Sequence, residues 1–261
     1  MSRPAVASDG EVRVDEDDGV LVITIDRPEQ RNAMTRAAAE RIAAALDELD
    51  RRPDLAVAVI TGAGGTFCAG MDLKRFLAGE TSSVPGRGFG GVTEAPPAKP
   101  LVAAVEGYAL AGGFELVLAC DLVVAGEGAR FGLPEVKRGL VARAGGLLRL
   151  PQRLPQAVAL ELVLTGEPMP AARAEALGLV NRVVPDGSAL PAALDLARAI
   201  AANAPLAVAA SKRILVESPS WPADEQWQRQ AVLADPVFAS EDAQEGARAF
   251  AERRPPSWQS R

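Results

Sequence analysis

The chain has 261 residues, 48% of them hydrophobic, and carries a net charge of −6 with a pI near 5.0. That length can bury one large core, and an acidic chain without a basic run is a poor match for nucleic acid. With no histidine and only two cysteines, a Ser-His-Asp or Cys-His mechanism, a disulfide framework and a soft-metal site are excluded, leaving proton chemistry chiefly to carboxylates and backbone dipoles.

The opening MSRPAVASDGEVRVDEDD is too polar and acidic for a signal peptide, and no run of about 18 apolar residues occurs, so a cytoplasmic chain without a membrane span is expected. Glu11 to Val14 and Val20 to Ile25 read as a hairpin ended by Asp26-Arg27-Pro28. After a loop with Arg31 and Asn32, Thr35 is placed to cap a helix running to Asp50, in which Ile42, Leu46 and Leu49 recur at helical spacing. Val57 to Thr61 reads as a buried strand ending in GAGG. Counted from Gly62, the last glycine of a G-x-G-x-x-G fingerprint falls on Phe67, so a dinucleotide site is rejected.

Thr66 to Leu73 reads as a tight turn into a helix, with Asp72 complementing the helix dipole and the amide near Met71 a candidate oxyanion donor. An ordinary glycine turn with a capping aspartate accounts for the same residues. Ala78 to Pro100 is rich in Gly, Ser and Pro and lacks periodicity. It reads as a mobile loop bordering a ligand, or as a plain surface excursion.

Leu101 to Val105 then feeds EGYALAGGFELVLACDLVVAGEGARFGLPEVKRGLVARAGG, the stretch that organises the chain. A helix opening at Gly112 leaves its first amides without internal partners, free to hold an oxyanion, and the glycine pair lets backbone approach a ligand. Glu115 falls in the first turn of that helix and Glu135 follows a proline in FGLPE. Two carboxylates and a free amide in one segment can polarise a carbonyl and move a proton beside it. Taken singly, Glu115 is also what a helix N-terminus attracts, and Glu135 also fits a surface loop. Cys68 and Cys120 read as buried thiols.

Gly145 to Leu164 and Met169 to Leu177 read as helices broken at RLPQ and TGEPMP, and Asn181 to Val184 as a strand. Helices follow at Ala189–Asn203, Pro205–Val216, Glu225–Ala234 and Glu241–Glu252. The pattern is an α/β core over residues 1–203 with a C-terminal helical subdomain over 204–261.

The run Phe67-Cys68-Ala69-Gly70-Met71-Asp72-Leu73, GYALAGGFEL, FGLPE and TGEPMPAARAEALGLVNRVV, in order from about Val12 onward, resemble the enoyl-CoA hydratase/isomerase (crotonase) family. Within it, GGFELVLACD, LPEVKRGLV, GGLLRLP, NAPLAVAASK and SEDAQEGARAFAERRPPSW most resemble the carnitinyl-CoA dehydratase (crotonobetainyl-CoA hydratase) branch. The resemblance implies a crotonase-like spiral of ββα units, assembly as a trimer or dimer of trimers through the C-terminal helices, and an acyl-CoA thioester as substrate. No separate cofactor is implied, because coenzyme A is part of that substrate.

By position, the amides of Met71 and Gly112 would form the oxyanion hole and Glu115 and Glu135 would bracket a water added across a trans-2-enoyl-CoA. Arg31, Ala33, Leu73 and Lys74 would border the nucleotide, and Phe250 and Arg253 match positions that reach a neighbouring subunit's CoA. One departure is Ala142-Arg143, where many hydratases have a glycine after a proline close to the catalytic water. A guanidinium there can lower the carboxylate pKa values, restrict the pocket or point away, and it makes Arg143 a substrate-pocket candidate. Double-bond isomerisation over the same enolate, and acyl-CoA binding without turnover, are the alternatives to hydration.

Overall fold

The computed structural model describes residues 10–260; the first nine residues, on which part of the signal-peptide reading rests, lie outside it. Strands β1 (Val12–Asp17) and β2 (Val20–Ile25) form the expected hairpin, with Val12 opposite Ile25. They join β3 (Val57–Gly62), β6 (Leu101–Val105), β8 (Leu122–Gly126) and β11 (Arg182–Val184) in a six-stranded sheet of order β1-β2-β3-β6-β8-β11, parallel from β2 onward. Both faces of this sheet are covered, which is why β2, β3 and β6 are apolar runs rather than alternating ones.

Alternate residues serve two cores. Ala58 and Ile60 of β3 face a large core that also takes in Ile42, Leu46 and Leu49 of helix α1 (Arg36–Arg51). Val57 and Val59 face α7 (Ala189–Ala201), which lays Ala189, Ala193 and Ala197, one residue per turn, against the sheet. Small side chains on that stripe let the helix sit close to the β-branched surface. Thr35 caps α1 by accepting the Ala38 amide, as its sequence position suggests.

A line of short second strands builds the site. β7 (Tyr108–Leu110) follows β6, and β9 (Arg130–Gly132) follows β8; β7 and β9 pair in parallel, and β10 (Met169–Pro170) adds antiparallel to β9. After β3 the same role falls to Cys68, bridged in parallel to Ala109, and after β2 to Met34, bridged to Met71. β2, β3, β6 and β8 are therefore each followed by a short pairing segment and a helical turn: α1, α2 (Leu73–Leu77), α3 (Gly112–Ala119), then a 3-10 turn at Pro134–Arg138. That repetition is the spiral of ββα units.

Two sequence expectations are corrected and one is made more definite. The 78–100 segment is not a mobile loop: it forms a tight pair, β4 (Ser83–Val84) with β5 (Gly88–Phe89), and buries Ser82, Phe89, Val92 and Thr93 in the interior. RLPQ occurs twice, and the expected break falls at the second copy: helix α4 (Gly146–Arg153) runs through Pro151 and ends before Pro155, after which α5 (Gln156–Thr165) begins. Beyond α6 (Ala171–Ala176), α7 and α8 (Pro205–Glu217), helix α9 (Gln226–Phe238) continues through Pro236, four residues past the expected end at Ala234. α10 spans Glu241–Glu252 as expected. No single described helix is long and apolar enough to cross a membrane; α7 and α8 together are, but they meet at 108° and α7 lies on the sheet.

Candidate active site

The bridge between Cys68 and Ala109 fixes the centre of the site. Cys68 takes the Tyr108 carbonyl through its amide and accepts the Leu110 amide, so residues 70–71 and 111–112 run side by side. Gly70 has a left-handed φ of +99°, and a Cβ there would stand 3.3 Å from the Gly112 amide nitrogen. The amides of Met71 and Gly112 donate no hydrogen bond among the described residues. Between them Ala111 holds φ 51°, ψ −129°, a strained conformation for a residue with a Cβ, and its own amide is anchored on the Gly132 carbonyl.

The two glycines at the start of α3 answer to packing, and neither has a positive φ. A Cβ on Gly112 would run into the Phe89 ring, and one on Gly113 into the Cys68 carbonyl. Close approach of protein to protein, rather than of backbone to ligand, explains the pair.

Glu115 is 3% exposed and its Oε1 accepts two amides, Ala144 at 2.7 Å and Gly146 at 2.9 Å. Gly146 is itself a close approach, since a Cβ there would lie 2.9 Å from Glu115 Cγ. Burial pushes the Glu115 carboxyl above the usual carboxylate range, while the two amides and the Arg149 guanidinium oppose the shift without reversing it. Its Oε2 makes no hydrogen bond among the described residues.

Glu135 sits in the 3-10 turn that α5 packs against. It is no surface loop residue: its Oε2 is buried and has no hydrogen-bond partner among the described residues. Burial pushes its pKa up to about 7, its own amide opposing, with the negative charge of Glu115 adding to the rise and Arg138 reducing it. The two glutamates thus feel one another, and their environments are unequal. Glu115 is gripped by donors that favour the anion, whereas Glu135 keeps a bare oxygen that favours the acid.

The remaining expected residues divide into three groups. Arg31 and Ala33 lie against the Met71 turn, since the Ala69 amide donates to the Arg31 carbonyl and the Met34 amide to the Gly70 carbonyl; Leu73 and Lys74 follow that turn and are exposed. Lys74, with Arg27, Gln30 and Arg75, borders a cleft of about 480 Å³ that takes in neither glutamate. Phe250 is 87% exposed on α10 and Arg253 is exposed just past its end, and no contact brings either to the glutamates. Arg143 is exposed, makes no ion pair among the described residues, and is not among the charges that shift either glutamate.

Arg149 escaped the sequence reading, and Arg27 entered it only as a residue of the loop after β2. Arg149, on α4, is the cation that acts on Glu115. Arg27, beneath the Met71 turn, pairs with Glu11 at 3.2 Å and Asp72 at 3.0 Å and donates to the Ala33 carbonyl. Burial pushes Asp72 up, but Arg27 and the amides of Lys74 and Arg75 outweigh it and hold the carboxyl below its usual range. Asp72 is also the cap of α2, so Arg27 ties the Met71 turn to the start of the hairpin. No cluster of metal-ligating side chains exists among the described residues.

Two unengaged amides, with a buried and a half-buried glutamate in unequal environments, on a spiral of ββα units, are groups that can polarise a carbonyl and move a proton beside it. The chain belongs to the enoyl-CoA hydratase/isomerase family, which it matches over residues 15–261, and its fold is that of the crotonases. It is 43% identical to the enoyl-CoA hydratase EchA19 of Mycobacterium tuberculosis, covering 92% of this chain and 93% of that one. Against a carnitinyl-CoA dehydratase of Salmonella paratyphi A the identity is 44%, over 93% and 95% of the two chains. The crystal structure of enoyl-CoA hydratase EchA1 from Mycobacterium marinum is 56% identical and superposes with a TM-score of 0.95, covering 97% of this chain and all of that one.

Proposed function

We propose that this enzyme adds water across the double bond of a trans-2-enoyl-CoA thioester, or removes it in reverse. The observation that carries the reading is the unequal glutamate pair beside the two unengaged amides. With the thioester oxygen on the Met71 and Gly112 amides, the β-carbon is electrophilic. Glu115 Oε2 takes a proton from water as its oxygen bonds to the β-carbon, and the π electrons move onto the thioester as an enolate. The enolate collapses by taking the Glu135 proton at the α-carbon, and exchange of one proton through solvent resets the pair. Each of the two amide donors is worth about 10² to 10³ in rate by analogy with other oxyanion holes.

Coenzyme A enters as part of the substrate, with Arg31, Ala33, Leu73 and Lys74 bordering its nucleotide and the Arg31 and Lys74 side chains supplying local positive charge. Assembly as a trimer or dimer of trimers fits the C-terminal helices: no residue of α8 or α9 is fully buried, and Leu215, Trp227, Phe238 and Phe250 are widely exposed. In that assembly Phe250 and Arg253 serve a neighbour's CoA, and the chain works in the cytoplasm. The carnitinyl-CoA dehydratase relative keeps a carnitine-like acyl group among the candidate substrates. The test is loss of enoyl absorbance on a panel of trans-2-enoyl-CoA thioesters that includes crotonobetainyl-CoA. Hydration of at least one is expected; migration of the double bond without hydration would make the enzyme an isomerase, and binding without either would make it a non-catalytic acyl-CoA protein.

A further inference from the structure

Arg149 is a half-buried cation on α4 with no carboxylate within ion-pair distance among the described residues. Such a charge is costly to bury unless something repays it. One hydrogen bond holds it, from Nη2 to the Thr93 carbonyl at 2.6 Å, in the segment that also carries Phe89 against Gly112. The guanidinium lies over Gly145, so closely that a Cβ there would overlap Nη1. Gly145 sits between Ala144 and Gly146, the two residues whose amides hold Glu115 Oε1, and its φ of +96° turns the chain so that both amides point the same way. The arginine therefore packs on the back of the turn that grips the carboxylate.

We propose that Arg149 is a positioning residue that backs the Ala144–Gly146 turn and reinforces its two amides in holding Glu115 as the anionic partner of the pair. The inference rests on the hydratase reading for its catalytic consequence, though not for its electrostatic one. The charged groups around Glu115 support it. Its own helix α3 carries no other charge, the 3-10 turn offers Glu135, Arg138 and Lys137, the last paired with Glu167, and α4 offers Arg149 and, further along, Arg153. Arg153 donates to the Cys120 carbonyl and acts on Arg149 rather than on Glu115. Glu115 is the only carboxylate among the charges that act on Arg149. Without Arg149 the Ala144 and Gly146 amides alone oppose the burial of Glu115, and its preference for the anion over that of Glu135 is weakened.

The test uses full-length protein with ¹³C-labelled glutamate carboxyls, the Glu115 resonance being assigned from its loss in Glu115→Gln. Wild type, Arg149→Met and Arg149→Lys are titrated, and turnover of a trans-2-enoyl-CoA is measured across the same pH range. Loss of the cation is expected to raise the Glu115 midpoint and move the acidic limb of kcat/KM upward with it. A one-unit shift is a tenfold loss of activity on that limb, with KM little changed. Lysine, which keeps the charge but not the fork, is expected to restore the midpoint at least halfway. Equal Glu115 midpoints in wild type and a folded Arg149→Met would overturn the proposal whether or not the enzyme turns over, as would a shift that lysine leaves uncorrected. Absence of turnover in wild type, with the Glu115 midpoint still moving in Arg149→Met, would instead fail the hydratase reading alone.

Discussion

At the scale of single residues, adjacent glycines at 112 and 113 carry different obligations. A Cβ on Gly112 meets a ring that can swing, whereas one on Gly113 meets a backbone carbonyl that cannot move without breaking the bridge from Cys68 to Ala109. Gly113→Ala is therefore expected to lower stability by about 2–3 kcal/mol, more than Gly112→Ala, because overpacking against fixed backbone has no cheap relaxation. Chemical denaturation of the two variants side by side checks the order, and equal losses would mean the bridge is softer than its geometry implies. Arg27→Met leaves Glu11 and Asp72 buried or half-buried without their cation, which costs about 3–5 kcal/mol for a buried pair broken on one side. The same denaturation measurement reads it, and a loss below about 1 kcal/mol would show that the network is solvated. The catalytic candidates were legible at this scale because a glycine step, a first-turn glutamate and a post-proline glutamate are local patterns. Arg149 was not, because its partner lies a full ββα unit away and nothing near it in the sequence says which way it points.

Elements were legible wherever one apolar period ran long enough. α1, α10, the start of α3 and the strands β1, β2, β3, β6 and β11 came out within a few residues of their observed bounds, since capping at Thr35 and β-branched runs such as VLVITI are properties of the local chain. β7, β9 and β10 span only two or three residues, too short for a period, and exist because the spiral stacks them. The 78–100 segment misled for the same reason: its glycines take left-handed turns that bring Phe89 and Val92 inward, a tertiary outcome with no periodicity to announce it. Pro151 and Pro236 lie inside helices that packing carries past the residue where propensity alone would end them. The C-terminal helices depend on one side chain in particular. Lys212 of α8 donates to the Pro97 and Lys99 carbonyls and to Asp121, whose carboxylate also accepts the Leu101 amide of β6. Lys212→Met is expected to lose about 1.5–3 kcal/mol and to loosen α8 first. Faster hydrogen exchange in α8 with β6 unchanged is the expected result, and unchanged exchange in both would show that apolar contacts dock the helix without it.

For the whole molecule, the raised glutamate leaves a signature on stability against pH. Glu135 binds its proton more tightly folded, with a pKa of about 7, than unfolded, where 4.5 applies. The folded state holds more protons between those values, so this contribution is full below about pH 4.5 and is lost as pH rises through about 7. At ~1.4 kcal/mol per unit the loss is up to ~3 kcal/mol. Glu135→Gln has no proton to lose, so its stability relative to wild type is expected to rise across that window in urea titrations at successive pH values, and parallel curves would contradict the shift. The central claim is that two glutamates of unequal ionisation work one enolate, and it is tested most directly by single-substrate turnover in deuterated water with wild type, Glu115→Gln and Glu135→Gln. Wild type should hydrate the enoyl thioester and place one deuterium at the α-carbon, and each glutamine variant should lose at least about 10² in kcat, given that acid and base each contribute about 10² to 10⁴. Hydration at near wild-type rates by either variant would contradict the account.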